Sequence, residues 1–271
     1  IGQSMFRRCY NLQKTILPQN IISIEAFAFE GCVLTSITIP EGVTSIGYAA
    51  FEDCELLTAI SIPSSVTSVS HLAFDGCGSL VDVYIKDVAA WCSIDFDTHS
   101  WNNPLHYGAN MYLNNELVTE LVIPEGVETI GYSAFANCGT FSSIHIPNSI
   151  TSINSSAFYD TKIDSLYWNA GKITADPFST EFGSSLSLLY VSFGDSVHTI
   201  LPSFCSYMTK LSAVDISNSV TTVGSYAFNS CSNFKSVTIP NGVTTIGSSA
   251  FSSCSNLSSV SIGDSVTTIG S

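Results

Sequence analysis

Residues 34–54 of the 271-residue chain are LTSITIPEGVTSIGYAAFEDC, and the fold is inferred outward from this stretch. Its first part alternates polar and apolar side chains, which is typical of a β-strand with one covered face. Pro40 ends the strand because proline has no N–H for a further ladder bond, and Gly47 then favours a turn. Phe51 and Cys54 are three residues apart, a spacing that places both on one side of a single helical or 3₁₀ turn.

The same pattern returns along the whole chain with a period of 23 residues. The second apolar residue of each Ile-x-Ile-like segment marks a strand anchor, and the anchors are Leu17, Ile39, Ile62, Ile85, Ile123, Ile146, Trp168, Phe193, Ile216, Ile239 and Ile262. The interval from Ile85 to Ile123 is lengthened by an insertion. One unit cannot cover its own flanks, so the units are predicted to stack as a single right-handed solenoid of about eleven coils over residues 1–271, with partial coils at both ends.

Leu-x-x-Ile-x-Ile repeats of this length resemble leucine-rich repeats. The added proline, the Ile-Gly dipeptide and the Ala-Phe-x-x-Cys ending resemble the BspA-like leucine-rich repeats of bacterial cell-surface proteins, over essentially the whole chain. The resemblance implies a parallel β-sheet on the concave face and an extracellular or cell-surface location in a bacterium. It also implies adhesion to host extracellular matrix proteins, such as fibronectin and fibrinogen, or to other cells.

The eight regular coils share one residue position, fifteen residues after the anchor, and cysteine occupies it in six of them. The slot holds Cys32, Cys54, Cys77, Cys138, Thr161, Met208, Cys231 and Cys254, and Cys9 fits the truncated coil before them. Replacement by threonine and methionine suits a small buried packing slot, whereas a lost disulfide partner would leave an orphan thiol. Reduced structural thiols are therefore expected, although stacked Cα atoms about 5 Å apart leave disulfides within geometric reach.

The insertion, at about residues 86–110, departs from the repeat. Asp87 is a good N-cap for a short helix over the next five residues. Farther on, Asn114-Asn115 separates two apolar runs and predicts a two-residue hairpin turn. Trp91 and Trp101 either seal this bulge or contribute to a binding surface, and sealing is the simpler interpretation.

The composition argues against several classes of function. With 22 acidic and 8 basic residues the formal net charge is −14, and the clustered lysine and arginine of a nucleic-acid-binding protein are missing. No apolar run approaches the ~20 residues of a membrane span. The histidines are dispersed, the motifs His-Glu-x-x-His and Gly-x-Ser-x-Gly are absent, and ladder thiols on successive coils cannot converge on one metal ion. We expect no enzymatic activity, no catalytic residues, no metal and no cofactor.

Residues between the inward-facing strand positions line the exposed face of the sheet. The position before each anchor is small and polar in the last coils but bulky in the middle of the chain, where it holds Tyr84, His145 and Tyr167; Tyr190 lies in the neighbouring column. Aromatic side chains give a large contact area at low entropic cost. We therefore predict a partner-binding patch at Tyr84, His145, Tyr167 and Tyr190, with the alternative that large residues merely tile a bent stretch of sheet.

Two functions remain after these exclusions. The resemblance favours a non-enzymatic protein-binding module of a cell-surface or secreted protein, and the alternative is a structural spacer that displays another domain of a longer protein. Residues 1–130 hold most of the acidic residues and would steer a basic partner, although solubility explains the same bias. Neither end has the polar cap of a solenoid, so we expect a segment of a longer protein or end-to-end contact between copies.

Overall fold

The computed structural model describes residues 1–97, 102–174 and 188–271, which form short strands joined by turns, with one short helix. In chain order the elements are β1 (Ser23–Ile24), β2 (Ser36–Thr38), β3 (Ser45–Ile46), β4 (Ala59–Ser61), β5 (Ser68–Val69), β6 (Asp82–Ile85), α1 (Val88–Cys92), β7 (Asn110–Leu113), β8 (Glu116–Leu117), β9 (Glu120–Val122), β10 (Thr129–Ile130), β11 (Ser143–Ile146), β12 (Ser152–Ile153), β13 (Ser165–Trp168), β14 (Tyr190–Phe193), β15 (Thr199–Ile200), β16 (Ala213–Ile216), β17 (Thr222–Val223), β18 (Ser236–Ile239), β19 (Thr245–Ile246), β20 (Ser259–Ile262) and β21 (Thr268–Ile269). Every anchor from Ile39 to Ile262 lies in one of these strands or directly after it. The repeat that the sequence predicts is therefore the repeat that builds the fold.

The chain forms two compact units. Unit 1 comprises residues 1–119, 129–140 and 153–161, and unit 2 comprises residues 120–128, 141–152 and 162–271. Both are built from turns of a parallel β-solenoid, as predicted for a leucine-rich repeat fold. The single solenoid over residues 1–271 stays a prediction. In the part of the chain that the structure describes, no helix has the length and apolarity that a membrane crossing requires.

Two sheets lie wholly within the described residues of unit 1. In the first, the strand order is β2-β4-β6-β7-β8, and all neighbours are parallel except β7 and β8. Corresponding positions of successive coils pair in register, so that Ile37 faces Ile60 and Ile60 faces Val83, all of them buried. The second sheet, β1-β3-β5, pairs Ile24 with Ile46. In-register pairing places residues of the same type on top of one another in successive coils. A repeat with one buried face requires this arrangement.

Unit 2 has the same organisation. The strand order of its first sheet is β9-β11-β13-β14-β16, and β18 and β20 form a separate parallel pair. The inward-facing residues are again buried and aligned, as in the pairing of Ile144 with Leu166 and of Leu166 with Val191. The second sheet consists of β15, β17, β19 and β21.

The second strand of each coil is a feature that the repeat pattern did not reveal. Gly47 follows β3, and the sequence favours a turn there, yet its conformation is not left-handed. Instead, a Cβ at Gly47 would lie 2.7 Å from the backbone nitrogen of Ala26 and 2.8 Å from the carbonyl carbon of Glu25. The glycine is therefore needed because the backbones of neighbouring coils approach closely.

The segment that follows Gly47 takes the 3₁₀-type hydrogen bond that its spacing predicts, but it is not a continuous 3₁₀ helix. Alternate N–H groups, such as that of Cys54 to the carbonyl of Phe51 at 3.1 Å, bond three residues back. The N–H groups between them bond to the next coil: Ala49 to His71, Phe51 to Ala73 and Asp53 to Asp75, at 2.8–3.0 Å. Ala49 and Asp53 have φ of 51° and 57°. The left-handed conformation at every fourth residue thus turns N–H groups towards the neighbouring coil.

The cysteine slot is buried, as predicted, and it carries a hydrogen bond in addition to packing. In five coils the Sγ donates to a backbone carbonyl of the preceding coil at 3.0–3.2 Å, namely at Cys32, Cys54, Cys77, Cys231 and Cys254. Thr161 makes the same bond with its hydroxyl, at 2.7 Å to the carbonyl of Phe135. All nine cysteines are free thiols. The placement of Cys9 in this interior slot is wrong, because Cys9 is exposed.

Phenylalanine rings three residues before the thiols form the centre of the core. In unit 1 the rings of Phe29 and Phe51 stack with centroids 5.4 Å apart and an angle of 5° between planes, and Phe51 stacks on Phe74 in the same way. Where cysteine replaces phenylalanine at residue 205, Phe204 is buried beside it. The exchange of volume between neighbours keeps the core filled.

The insertion contains the predicted helix, and the predicted hairpin follows it. The Asp87 carboxylate accepts a hydrogen bond from the Ala90 N–H at 2.9 Å and caps α1. Asn114 and Asn115, with φ of 52° and 69°, form the turn between the antiparallel strands β7 and β8. Trp91 is buried, in agreement with the sealing interpretation, and Trp101 lies outside the described residues.

Polar side chains of the insertion replace the hydrogen bonds that a regular coil would supply. On one side, the Leu72 N–H donates to Asn102 Oδ1 and the Gly76 N–H donates to Tyr107 Oη, both at 2.9 Å. Leu72 and Gly76 occupy the repeat positions of Ala49 and Asp53, whose N–H groups bond to the next coil. The inserted segment therefore supplies acceptors to two N–H groups of the coil before it.

The same insertion also serves the coil that follows it. The Trp91 Nε1 donates to the Ala134 carbonyl at 2.7 Å, and the Asn103 amide donates to the carbonyls of Ser133 and Ala134 at 2.6 and 2.9 Å. Asn103 is fully buried, so these bonds satisfy polar groups that water does not reach. The insertion is thus an integral part of unit 1.

Candidate functional site

The outward-facing side of the first sheet of unit 2 carries most of the predicted contact residues. Parallel, in-register pairing places Val122 beside His145, His145 beside Tyr167, and Tyr167 beside Ser192. Tyr190 lies two positions before Ser192 on β14, and hence on the same face. The repeat itself therefore aligns these side chains in adjacent columns.

His145, Tyr167 and Tyr190 form one aromatic cluster. The rings of His145 and Tyr167 stack with centroids 4.0 Å apart and 12° between planes. The ring of Tyr190 meets that of Tyr167 edge-on, with centroids 5.8 Å apart and an interplanar angle of 64°. Tyr167 remains 37% exposed. Mutual packing holds these rings in place while leaving part of their surface open to a partner.

A carboxylate lies against this aromatic cluster. Glu120 on β9 places its Oε1 2.6 Å from Nε2 of His145, and the Glu120 side chain is 57% exposed. Val122, on the same strand, is 53% exposed. The outward face of unit 2 therefore combines aromatic and aliphatic surface with negative charge.

Tyr84 belongs to unit 1 and has a different ring partner. It pairs in register with Tyr112 of β7, and the two rings stack with centroids 4.8 Å apart and 21° between planes. Beside them, the Asn110 amide donates to Asp82 Oδ1 at 3.1 Å. Desolvation, followed by the negative charge of Asp82, raises the pKa of Tyr112. Tyr112 was missed by the sequence analysis because it lies outside the 23-residue register, although the hairpin that was predicted contains it.

A groove at the carboxyl ends of four neighbouring strands of unit 2 was also missed. Its volume is about 400 Å³, and its lining comprises Val122, Ile123, Pro124, Glu125, His145, Ile146, Pro147, Tyr167, Trp168, Asn169, Ser192 and Gly194. The groove depends on the small side chain of Ser192 on the strand beside that of Tyr167. This neighbour relation is known only once the strands have been paired. We call this feature the strand-end groove.

The described residues offer little to support chemistry. Among them, no group of three or more His, Cys, Asp or Glu side chains is arranged to hold a metal ion. Burial raises the pKa of the thiols of Cys54, Cys92 and Cys231 to about 12. A nucleophilic cysteine needs the opposite shift.

The repeat, the stacked parallel strands and the cysteine slot together define a leucine-rich repeat solenoid. The family model for the BspA type leucine-rich repeat region matches the chain in six copies, over residues 1–94, 106–200 and 178–271. The chain belongs to this family. No curated protein matches it.

Three solved structures are similar to this chain, and the first of them shares its fold. A leucine-rich repeat protein from Bacteroides ovatus shares 24% identity with a TM-score of 0.59, and the match covers 100% of this chain and 72% of that one. A leucine-rich cell surface protein from Faecalibacterium prausnitzii shares 22% identity with a TM-score of 0.38, over 96% of this chain and 68% of that one. The pneumococcal vaccine antigen PcpA shares 16% identity with a TM-score of 0.39, over 93% and 64%.

Proposed function

We propose that the chain is a non-enzymatic protein-binding module of a bacterial cell-surface or secreted protein. Its partner is an extracellular protein of a host, such as a matrix protein, or a protein on another cell. The observation that carries this proposal is the aromatic cluster of His145, Tyr167 and Tyr190 on the outward face of the unit 2 sheet. Membership of the BspA type family supports the surface location.

The physical basis of the proposal is the contrast between the two sides of each strand. Inward-facing residues must fit the stacked core, but outward-facing residues do not, and a fold without a partner can fill those positions with serine and threonine. Residues 236–239 of β18 and 259–262 of β20 follow that pattern. Partly exposed aromatic side chains are enriched at interfaces because they bury a large area with few rotatable bonds. The aromatic cluster is therefore better explained by recognition than by folding.

The experiment measures binding to immobilised fibronectin and fibrinogen by surface plasmon resonance. Tyr167→Ser is expected to weaken binding at least about tenfold, which is the loss of one central aromatic contact. Tyr84→Ser tests the separate pair in unit 1. Tyr207→Ser is the matched control, because Tyr207 is 73% exposed and lies in a turn segment where other coils carry serine. Equal binding by all three variants and the wild type, with unchanged folding, would overturn the proposed site.

The second candidate function is a structural spacer that displays another domain. The small polar outward faces of β18 and β20 favour it, because they offer no anchoring side chain. A spacer binds none of the matrix proteins at a defined site, and Tyr167→Ser then leaves adhesion of cells that display the chain unchanged. Loss of adhesion in that variant selects the binding module.

A further inference from the structure

The strand-end groove is created by departures from the regular repeat in unit 2. The residue after the strand anchor is proline in the coils of β9 and β11, but it is Asn169 after β13 and Gly194 after β14. Ser192, between Tyr167 and Asp215 in the strand register, adds little volume on the outward face. Two adjacent coils thus leave space beside Tyr167 that bulkier residues would fill.

The groove is held open by a fixed polar contact. Asn169 Oδ1 accepts a hydrogen bond from the Ser196 N–H at 2.9 Å. A Cβ on Gly194 would lie 2.5 Å from the same oxygen, so the bonded position of Asn169 requires glycine there. The wall is therefore preorganised, which reduces the entropy lost when a ligand binds.

The chemistry of the groove specifies its ligand. Val122, Pro124, Pro147 and Tyr167 supply apolar surface, and the volume is within the range of about 300–1,000 Å³ that is usual for a ligand pocket. The charged residue in the described lining is Glu125, and Glu120 lies beside His145. An apolar site with carboxylates next to it favours a ligand that combines an apolar group with a cation.

We propose that the strand-end groove binds an extended segment of the partner protein in which a large apolar side chain lies next to lysine or arginine. The apolar side chain fills the space beside Tyr167 and Ser192, and the cation pairs with Glu125 or Glu120. This inference rests on the proposed function, since it specifies the partner of the same outward face. An acidic segment is repelled by the same carboxylates.

The test uses three dye-labelled pentapeptides with acetylated N-termini and amidated C-termini. Their sequences are Gly-Phe-Lys-Arg-Gly, Gly-Phe-Glu-Glu-Gly and Gly-Ala-Lys-Arg-Gly, and binding to the whole chain is measured by fluorescence polarisation. The first peptide is expected to bind at least about tenfold more tightly than either of the others, because it alone supplies both contacts. Raising the ionic strength from about 0.05 to 0.5 M is expected to weaken its binding several-fold, since exposed charges are screened.

Two variants locate the binding. Ser192→Trp fills the groove from its floor and is expected to raise the dissociation constant at least about tenfold. Ser61→Trp is the matched control, because Ser61 occupies the same position of the repeat on β4 of unit 1. Glu125→Gln is expected to reduce binding about threefold, as for one partly exposed ion pair. Glu128→Gln, at an exposed glutamate three residues farther along the chain, leaves it unchanged.

The outcomes separate this inference from the proposed function. Equal binding of the three peptides, or equal effects of Ser192→Trp and Ser61→Trp, overturns the groove as a site for an apolar and basic segment. Binding of the neutral oligosaccharide maltohexaose at the groove in place of the basic peptide also overturns it. If matrix proteins still bind in a manner that depends on Tyr167 while the peptides do not, the proposed function stands and this inference fails.

Discussion

Asn102 is predicted to contribute far more to stability than Tyr107, although both cap the same coil of unit 1. Each accepts a hydrogen bond from a backbone N–H at 2.9 Å. Asn102 is fully buried, and its amide also donates to the Phe96 carbonyl at 2.7 Å. Tyr107 is 38% exposed. The two bonds to backbone N–H groups thus have the same length, whereas Asn102 differs from Tyr107 in its burial and in its additional buried bond to Phe96.

The expected loss of stability depends on which polar groups each substitution leaves without a hydrogen-bond partner. Asn102→Ala leaves the buried carbonyl of Phe96 and the half-buried N–H of Leu72 without their partners. The unsatisfied buried carbonyl costs about 1–3 kcal/mol, and the lost hydrogen bond of the half-buried N–H adds about 1 kcal/mol. The expected loss in the free energy of unfolding is therefore about 2–4 kcal/mol. Tyr107→Phe leaves the Gly76 N–H within reach of water, which replaces the lost acceptor, so the expected loss is below about 1 kcal/mol.

Urea unfolding and amide hydrogen exchange measure the two effects. The Leu72 amide is expected to exchange at least about tenfold faster in Asn102→Ala, since 1.4 kcal/mol corresponds to a factor of ten. Asn256→Ala, at an exposed asparagine, controls for the substitution itself. Equal destabilisation by Asn102→Ala and Tyr107→Phe would refute the reasoning, because it would show that burial of the capped groups does not set the cost.

Three further predictions concern the coils. Gly47→Ala is expected to lower the unfolding free energy by about 1–3 kcal/mol through its backbone clash, whereas Gly78→Ala, where a Cβ meets nothing within 4 Å, changes it little in the same urea titration. In the native protein at pH 8, Ellman's reagent is expected to modify Cys9 rapidly, and all nine thiols react only after unfolding; fewer than nine would reveal disulfides. Burial raises the pKa of Cys54 from 9.0 to about 12, so the unfolded thiol ionises first and stability falls as pH rises from about 9 to 12. Cys54→Ser, which keeps a donor as Thr161 does, is expected to reduce that alkaline loss of stability.

The sequence predicts best those features that one coil determines alone. The alternation around Ile37 and Ile39 predicts a strand with one buried face, and the structure confirms it. Asn114-Asn115 predicts the hairpin because both residues tolerate positive φ. In each case the physical cause, a period of two or a local backbone preference, is contained within a few neighbouring residues.

Features that depend on two coils could not be read in this way. β3 is only two residues long, Ser45 and Ile46, so its alternation is too short to recognise, and its sheet exists only through neighbouring coils. Residue 47 must be glycine because a Cβ there would clash with the backbone of the neighbouring coil. No sequence motif marks Asn102 as a hydrogen-bond acceptor for another coil, because its partner Leu72 lies 30 residues away. Contacts between coils follow register, which becomes known only with the structure.

In a repeat protein, the inward-facing strand residues form the core, and the outward-facing ones are available for recognition. Because each inward slot must match the slots above and below it, core residues vary little between coils and carry no information about a partner. Outward residues are free of that requirement, so a local departure from serine and threonine needs another cause. In unit 2 the largest departures, Tyr167 and Tyr190, lie beside the coils where Asn169 and Gly194 replace proline at the strand ends. We propose that these two departures, which meet on one surface, serve contact with a partner there, and substitution of Tyr167 and of Ser192 tests them separately.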